Sequence, residues 1–236
     1  MFTIEQLRRI MPALSPARAN TLLPFLQTAV DEFAIAAPAR SAAFLAQLAH
    51  ESGQFRFMEE IWGPTAAQQR YEPQSTLATR LGNCEAGDGR RFKGRGPIQV
   101  TGRANYQRFG DLLGIDLVAD PMRAADPAVA FRIAALFWSR NGLNELADQG
   151  TPDAFRQITR RINGGYNGLT DRQQFFARAC EVLGVARARG LPRALPPAAA
   201  TSGDAFGRGA EAIRPFAQRL GTELPRTVVK RAARKK

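Results

Sequence analysis

The stretch Ala46-Gln47-Leu48-Ala49-His50-Glu51-Ser52-Gly53, followed by Met58-Glu59-Glu60, decides how this chain is read. Upstream, Pro38 suits the first position of a helix, where its missing N–H has no bond to make. Phe44, Leu45, Leu48 and Ala49 then recur at helical spacing and predict an apolar stripe. Glu51 comes three residues after Leu48, so it shares the edge of that stripe, and Gly53 is placed to cap the helix. The pattern predicts a helix from Pro38 to Ser52 that carries a carboxylate out of the core at its last turn, then a loop that returns a second one. A carboxylic acid half-sunk beside Phe44, Leu48 and Trp62 has its pKa raised by desolvation, the condition for donating a proton near neutral pH. Taken alone, Glu51 reads first as a solvated helix-end glutamate. Its company downstream changes that.

Working outward, Thr3-Ile4-Glu5-Gln6 has the spacing of a capping box and starts a helix to about Met11. Ser15-Pro16 opens another, which Pro24 is expected to break or kink before Phe25 to Phe33 continue. Residues 63–97 are punctuated by Gly63-Pro64, Gly82-Asn83, Gly87-Asp88-Gly89 and Gly94-Arg95-Gly96-Pro97, which predicts ordered loops with a short β-hairpin near Phe92 to Val100. Thr101 is expected to cap a helix ending at Gly114. Asp126-Pro127 opens a strongly apolar helix from Ala128 to Trp138, read as the central buried one. Thr151-Pro152 starts a helix to about Ile162, stopped by Asn163-Gly164-Gly165, and Thr170-Asp171 caps the last one, through Leu183. The expected fold class is therefore all-α, with a loop-rich segment or short hairpin around residues 63–100. Beyond Gly184 the texture becomes a Pro/Ala-rich linker, with one amphipathic helix expected over Gly209 to Leu220. Two regions follow, a body over 1–184 and an extension over 185–236.

The 236 residues suffice for a sizeable core, and no window approaches 18 consecutive apolar residues. The N-terminus shows no basic start, apolar run or cleavage site, so the expectation is synthesis in a host cytoplasm without a secretory signal. Cys84 and Cys180 make no disulfide framework. His50 is the only histidine, and a zinc hydrolase built on histidine ligands needs at least two, so neither metal nor cofactor is expected. The net charge is +12, and the segment from Val185 to Lys236 carries twelve Lys and Arg against Asp204, Glu211 and Glu223. A basic extension of this kind favours polyanions such as nucleic acid, anionic lipid or cell-wall polymer.

Four blocks occur in one order: Ala49-His50-Glu51-Ser52, Glu60-Ile61-Trp62-Gly63-Pro64-Thr65, Gly94-Arg95-Gly96-Pro97-Ile98-Gln99-Val100-Thr101-Gly102 and Ile162-Asn163-Gly164-Gly165. Together they resemble glycoside hydrolase family 19, which includes chitinases and a branch of bacteriophage endolysins. Gly87-Asp88-Gly89, Phe92-Lys93-Gly94-Arg95-Gly96 and Gly102-Arg103-Ala104-Asn105-Tyr106 resemble the endolysin branch in particular. The resemblance covers roughly residues 38–184 and is silent afterwards. It implies a lysozyme-like, two-lobed body in which Glu51 is the general acid, Glu60 the general base, and Thr101 a hydroxyl holding the attacking water. It further implies that Gln99, Asn105 and Asn163 line a sugar groove, and that Arg172 is a basic residue near the carboxylate pair. Tyr106 is carried as an aromatic that either stacks on sugar or belongs to the core, and Trp62 likewise.

The chemistry fits the assignment. Hydrolysis with inversion needs an acid for the leaving oxygen and a base for water on the other face of the ring, their carboxyls about 6.5–9.5 Å apart. Bland readings stand beside the functional ones. Glu59 competes with Glu60, although the motif favours Glu60; Thr101 serves equally as a helix cap; Lys93 and Arg95 either bind substrate or brace a loop; His50 is read as structural. The expected partner is the peptidoglycan glycan strand, met by a monomer acting at the cell wall or periplasm after release. The basic extension is expected either to hold an anionic outer-membrane or wall surface or merely to aid solubility. The alternatives are a chitinase acting on chitin oligomers, a non-enzymatic polyanion binder using the basic tail, and a cysteine peptidase pairing His50 with Cys84 or Cys180.

Overall fold

The computed structural model describes residues 1–185, and the linker, the Gly209–Leu220 helix and the basic end expected from the sequence lie outside the described residues. The chain opens with α1 (Ile4–Ile10), where the Thr3 hydroxyl accepts the Gln6 N–H and the Gln6 side chain accepts the Thr3 N–H, a complete capping box. Then come α2 (Pro16–Glu32) and α3 (Pro38–Glu51), each with proline in its first turn. Pro24, expected to break or kink α2, does not break it. Proline inside a helix removes one backbone bond. Leu22, Leu23, Leu26, Ala29 and Val30 are buried on either side of it, and Thr28 Oγ1 donates to the Pro24 carbonyl at 3.0 Å, so packing on both flanks keeps the helix continuous.

Residues 63–97 are more helical than their glycines suggest. They hold α4 (Ala66–Gln69), α5 (Thr76–Leu81) and α6 (Asp88–Arg91), the first two started by side-chain caps at Thr65 and Ser75. The expected hairpin reduces to two isolated bridges, Glu59 with Arg95 and Arg95 with Val100, and no strand forms among the described residues. The rest is α7 (Arg103–Leu113), a 3₁₀ turn (Pro121–Ala125), α8 (Pro127–Arg140), α9 (Leu143–Asp148), α10 (Pro152–Asn163) and α11 (Leu169–Val182). Two caps differ from the reading above: Gly102, not Thr101, precedes α7, and Gly168, not Thr170, precedes α11.

α8 is the buried centre, with Val129, Ala130, Phe131 and every residue from Ile133 to Trp138 inside. Phe131 meets Phe55 edge-on at 5.2 Å between ring centroids, and Trp138 meets Phe44 of α3 at 5.3 Å. The Trp138 N–H, which burial would otherwise strand, donates to Asn144 Oδ1 at 2.9 Å. α2 packs on α8 and α3 packs on α11, so the carboxylate end of α3 lies against the first turn of α11.

The glycine-rich segment is organised by one buried carboxylate. Asp88 accepts the backbone N–H of Cys84 and Glu85 and a two-pronged bond from Arg103, at 2.8 and 2.6 Å. Burial alone would raise its pKa, but the Arg103 fork and the two backbone donors outweigh that and hold it below the ordinary 3.8. The Gly87-Asp88-Gly89 motif thus makes architecture, tying α6 to α7. The unfolded chain binds a proton at Asp88 before the native state does. This contribution to stability is therefore complete above about pH 4 and disappears as pH falls through the depressed native value. Asp88→Asn should destabilise the fold by about 2–4 kcal/mol, since it strips the charge opposite Arg103. Thermal unfolding at pH 7 should show a melting point lower by roughly 5–12 °C, with the gap to wild type narrowing in acid. An unchanged melting point would refute this reading.

Candidate active site

Glu51 ends α3 and is 5% exposed. Its Oε1 receives Arg172 Nη2 at 2.5 Å. Arg172, wholly buried in the first turn of α11, sends Nη1 to Gln47 Oε1 at 2.5 Å and Nε to the Asn167 carbonyl at 3.3 Å. Gln47 in turn donates to Thr159 Oγ1 of α10 at 2.9 Å. Gln47 and Glu51 stand one helical turn apart on the same face, which lets one guanidinium hold both. Three helices therefore fix this carboxylate, and among the described residues its second oxygen, Oε2, meets no donor and is not sealed in. The expected apolar surroundings gain a charged partner. Trp62 tilts against Tyr71 instead, and the dominant neighbour of Glu51 is a guanidinium. Sequence reasoning placed Arg172 near the pair but passed over Gln47 and Thr159. The available signal was a glutamine one turn before the glutamate inside an otherwise apolar helix.

The chain from Glu51 to Glu60 turns through three residues in succession with positive φ: Gly53 (56°), Gln54 (60°) and Phe55 (63°). Such angles are uncommon outside glycine and persist only where surroundings over-determine them. Here Phe55 is fully buried, its N–H donates to Ser52 Oγ at 2.7 Å, its carbonyl accepts Arg18 Nε at 2.6 Å, and Gln54 Oε1 accepts the Ala13 N–H at 2.8 Å. The turn is a rigid bracket between the two carboxylate segments.

Glu60 is anchored at both oxygens. Gln68 Nε2 donates to Oε1 at 3.0 Å and the Gly94 N–H to Oε2 at 2.9 Å, while the Glu60 N–H returns a bond to the Gly94 carbonyl at 2.8 Å. Gln68 also binds Ile61, Gly63 and Thr65, so one buried side chain sets the whole loop. Gly94 sits close to both side chains: a Cβ there would come within 2.7 Å of Gln99 Oε1 and 3.3 Å of Glu60 Oε2. Gln99 thus lies beside Glu60, its amide nitrogen held by the Gly96 and Phe57 carbonyls at 2.9 and 3.4 Å. Thr101 donates its hydroxyl to the Gln99 carbonyl at 2.9 Å, which leaves the oxygen lone pairs to accept, and Asn105 donates to the Thr101 carbonyl at 2.7 Å.

Glu59 does not contend for the role of Glu60. It bridges Arg95 at 3.1 Å and Lys93 at 3.3 Å, so those two cations brace the loop. Tyr106 is corrected from a candidate sugar contact to a core residue. It is fully buried, its ring edge-on to Phe92, its hydroxyl donating to the Lys93 carbonyl and accepting from Arg95, and burial pushes its pKa up. Asn163 closes α10 at 2% exposure, its Oδ1 buried and without a donor among the described residues. His50 binds Asp171, not a thiol. Cys84 and Cys180 are both free; burial pushes the Cys180 thiol up to about 12, where it is no nucleophile, so the peptidase alternative has no dyad.

An all-helical, lysozyme-like body carrying one glutamate at a helix end and another on the loop that follows defines the class of two-carboxylate glycosidase folds. Comparison with known proteins makes this specific. The model of glycoside hydrolase family 19, described as chitinase class I, matches residues 17–149, and the chain belongs to that family. An Arabidopsis thaliana endochitinase is 41% identical over 151 residues, covering 61% of this chain and 48% of that protein. A glycosyl hydrolase family 19 domain-containing protein of Haemophilus influenzae is 35% identical over 161 residues, covering 58% and 76%. The crystal structure of chitinase C from Streptomyces griseus superposes with a TM-score of 0.61 at 26% identity, over 80% of this chain and 79% of that one. The chain spans about half the length of the plant relatives it matches.

Proposed function

We propose that this chain hydrolyses β-1,4 glycosidic bonds of peptidoglycan with inversion. The observation that carries the reading is the asymmetry of the carboxylate pair. Glu51 has one oxygen clamped by Arg172 and the other without a donor among the described residues, whereas Glu60 is fixed at both oxygens by N–H donors. In the proposed reaction Glu51 Oε2 gives its proton to the glycosidic oxygen as the C1–O bond breaks. Arg172 then stabilises the carboxylate left behind, a charge that develops along the reaction. Glu60 takes a proton from the water that attacks C1 from the opposite face, and its lone pairs not used by Gln68 and Gly94 point that water. Thr101 Oγ1 accepts the water's second hydrogen. Gln99 Oε1 is an acceptor for the acetamido and hydroxyl groups of the sugars, with Asn105 holding the Thr101 segment.

Peptidoglycan is favoured as substrate by charge. The basic extension suits an anionic envelope, and exposed Tyr166 with the Arg156 guanidinium 5.0 Å from its ring centre adds an aromatic cation on the body. The second reading is chitin hydrolysis, favoured by the names of the Arabidopsis and Streptomyces relatives. Purified peptidoglycan and chitin hexamer should be digested in parallel, the products reduced and weighed by mass spectrometry, and the first-formed anomer read by proton NMR. Soluble muropeptides with an α anomer formed first are expected. Cleavage of chitin alone would transfer the proposal to the second reading, and a β anomer formed first would overturn inversion.

A further inference from the structure

Two consecutive residues of α3 grip two consecutive residues of α11. Glu51 holds Arg172, and beside it His50 Nδ1 lies 2.6 Å from Asp171 Oδ2. The second pair touches no reacting atom in the scheme above, yet it is built into the same place. The imidazole fills the space that a side chain at position 168 would take, since a Cβ on Gly168 would overlap ring atoms Cε1 and Nε2. Gly168 is the N-cap of α11 at φ +68°, and its carbonyl accepts the Arg172 N–H at 3.0 Å. The neighbouring Asn167 carbonyl accepts Arg172 Nε. His50 therefore bears on the two backbone groups that set the position of Arg172, from one side through van der Waals contact with Gly168 and from the other through Asp171.

We infer that His50 and Asp171 are positioning residues: their pair fixes the first turn of α11 and so aims Arg172 at Glu51. The inference rests on the reading of Glu51 as the acid. The charged groups about His50 are Asp171, Arg172 and, along α11, Arg178, on which Asp171 acts as a neighbouring charge; α3 itself adds Glu51. Towards α9 the carboxylate of Asp148 is engaged at the far end of α3, with Arg40. The pair is partly exposed, which puts its effect on geometry ahead of its effect on stability.

The test uses the full chain with His50→Gln, Asp171→Asn and the double variant, assayed on purified peptidoglycan and chitin hexamer. Each single variant should lower kcat about tenfold with KM unchanged, and the double variant should lose no more than either single one. Melting points should stay within a few degrees. Asp171 is exposed, so Asp171→Asn keeps the test available should His50→Gln fold poorly. A lowered melting point with unchanged kcat would overturn the inference in favour of a structural pair, as would strictly additive losses. If Glu51→Gln retains full activity, the reading of the acid itself has failed; if Glu51→Gln is inactive and Asp171→Asn is normal, only this inference has.

Discussion

Replacing Glu51 with glutamine should reduce turnover by about 10³-fold or more while leaving the protein folded. The amide keeps the shape of the side chain and an oxygen for Arg172 Nη2, so the helix end and the α3–α11 contact persist. What vanishes is the proton for the leaving oxygen. A sugar alkoxide is too basic to depart unaided, and no second acid stands ready, because the neighbouring titratable side chains are committed to each other: His50 to Asp171, and Glu59 to Arg95 and Lys93. The substitution also removes the charge opposite a guanidinium with no solvent exposure. That leaves a buried cation with hydrogen bonds but no counter-ion, and should lower stability by about 2–3 kcal/mol. The combination is diagnostic. Circular dichroism should stay native, the melting point should fall by several degrees, and the release of reducing ends should drop to background. A variant that cleaves at more than a tenth of the wild-type rate would remove Glu51 from the role of acid.

The parts of this molecule that were legible in its sequence share a physical property: their signals are local. The capping box at Thr3 and the prolines at the starts of α2, α3, α8 and α10 act within one turn, and the structure carries them as the pattern predicts. The apolar stripe from Phe44 to Ala49 likewise led to Glu51 at its edge. What local reading missed is decided by partners distant in the chain. Pro24 looks like a break until α8 is packed along the helix that contains it. Tyr106 looks like a groove aromatic until Lys93 and Arg95 take its hydroxyl. Glycine density over residues 63–97 suggests loops, but Asp88 and Gln68 gather the backbone N–H groups there and short helices fit between. At the site, the two glutamates were readable from their motif, whereas the guanidinium that bridges Gln47 and Glu51 comes from a residue more than 120 positions away. Periodicity cannot show such a pairing.

Removing the second carboxylate offers the sharpest chemical check on the scheme. Glu60→Ala should lose about 10²–10⁴-fold in turnover, because water is a poor nucleophile without a base to take its proton. The deletion also vacates the volume in front of the Gln68 amide and the Gly94 N–H, both of which had donated to the lost carboxylate. Two N–H donors facing an empty, anion-sized space suit a small anionic nucleophile. Sodium azide should therefore restore turnover where it does nothing for Glu51→Gln, whose defect lies in the leaving group. The balance is simple: the C1–O bond breaks, the departing oxygen takes the Glu51 proton, and azide nitrogen forms the new bond to C1 with no proton to remove. With inversion as proposed, the product should be the α-glycosyl azide, identifiable by its anomeric proton coupling. A β-glycosyl azide would put the nucleophile on the same face as the acid and would overturn the proposed inversion. Full activity in Glu60→Ala without azide would instead return the base to another residue, and Glu59 is poorly placed for it while Arg95 and Lys93 hold its carboxylate.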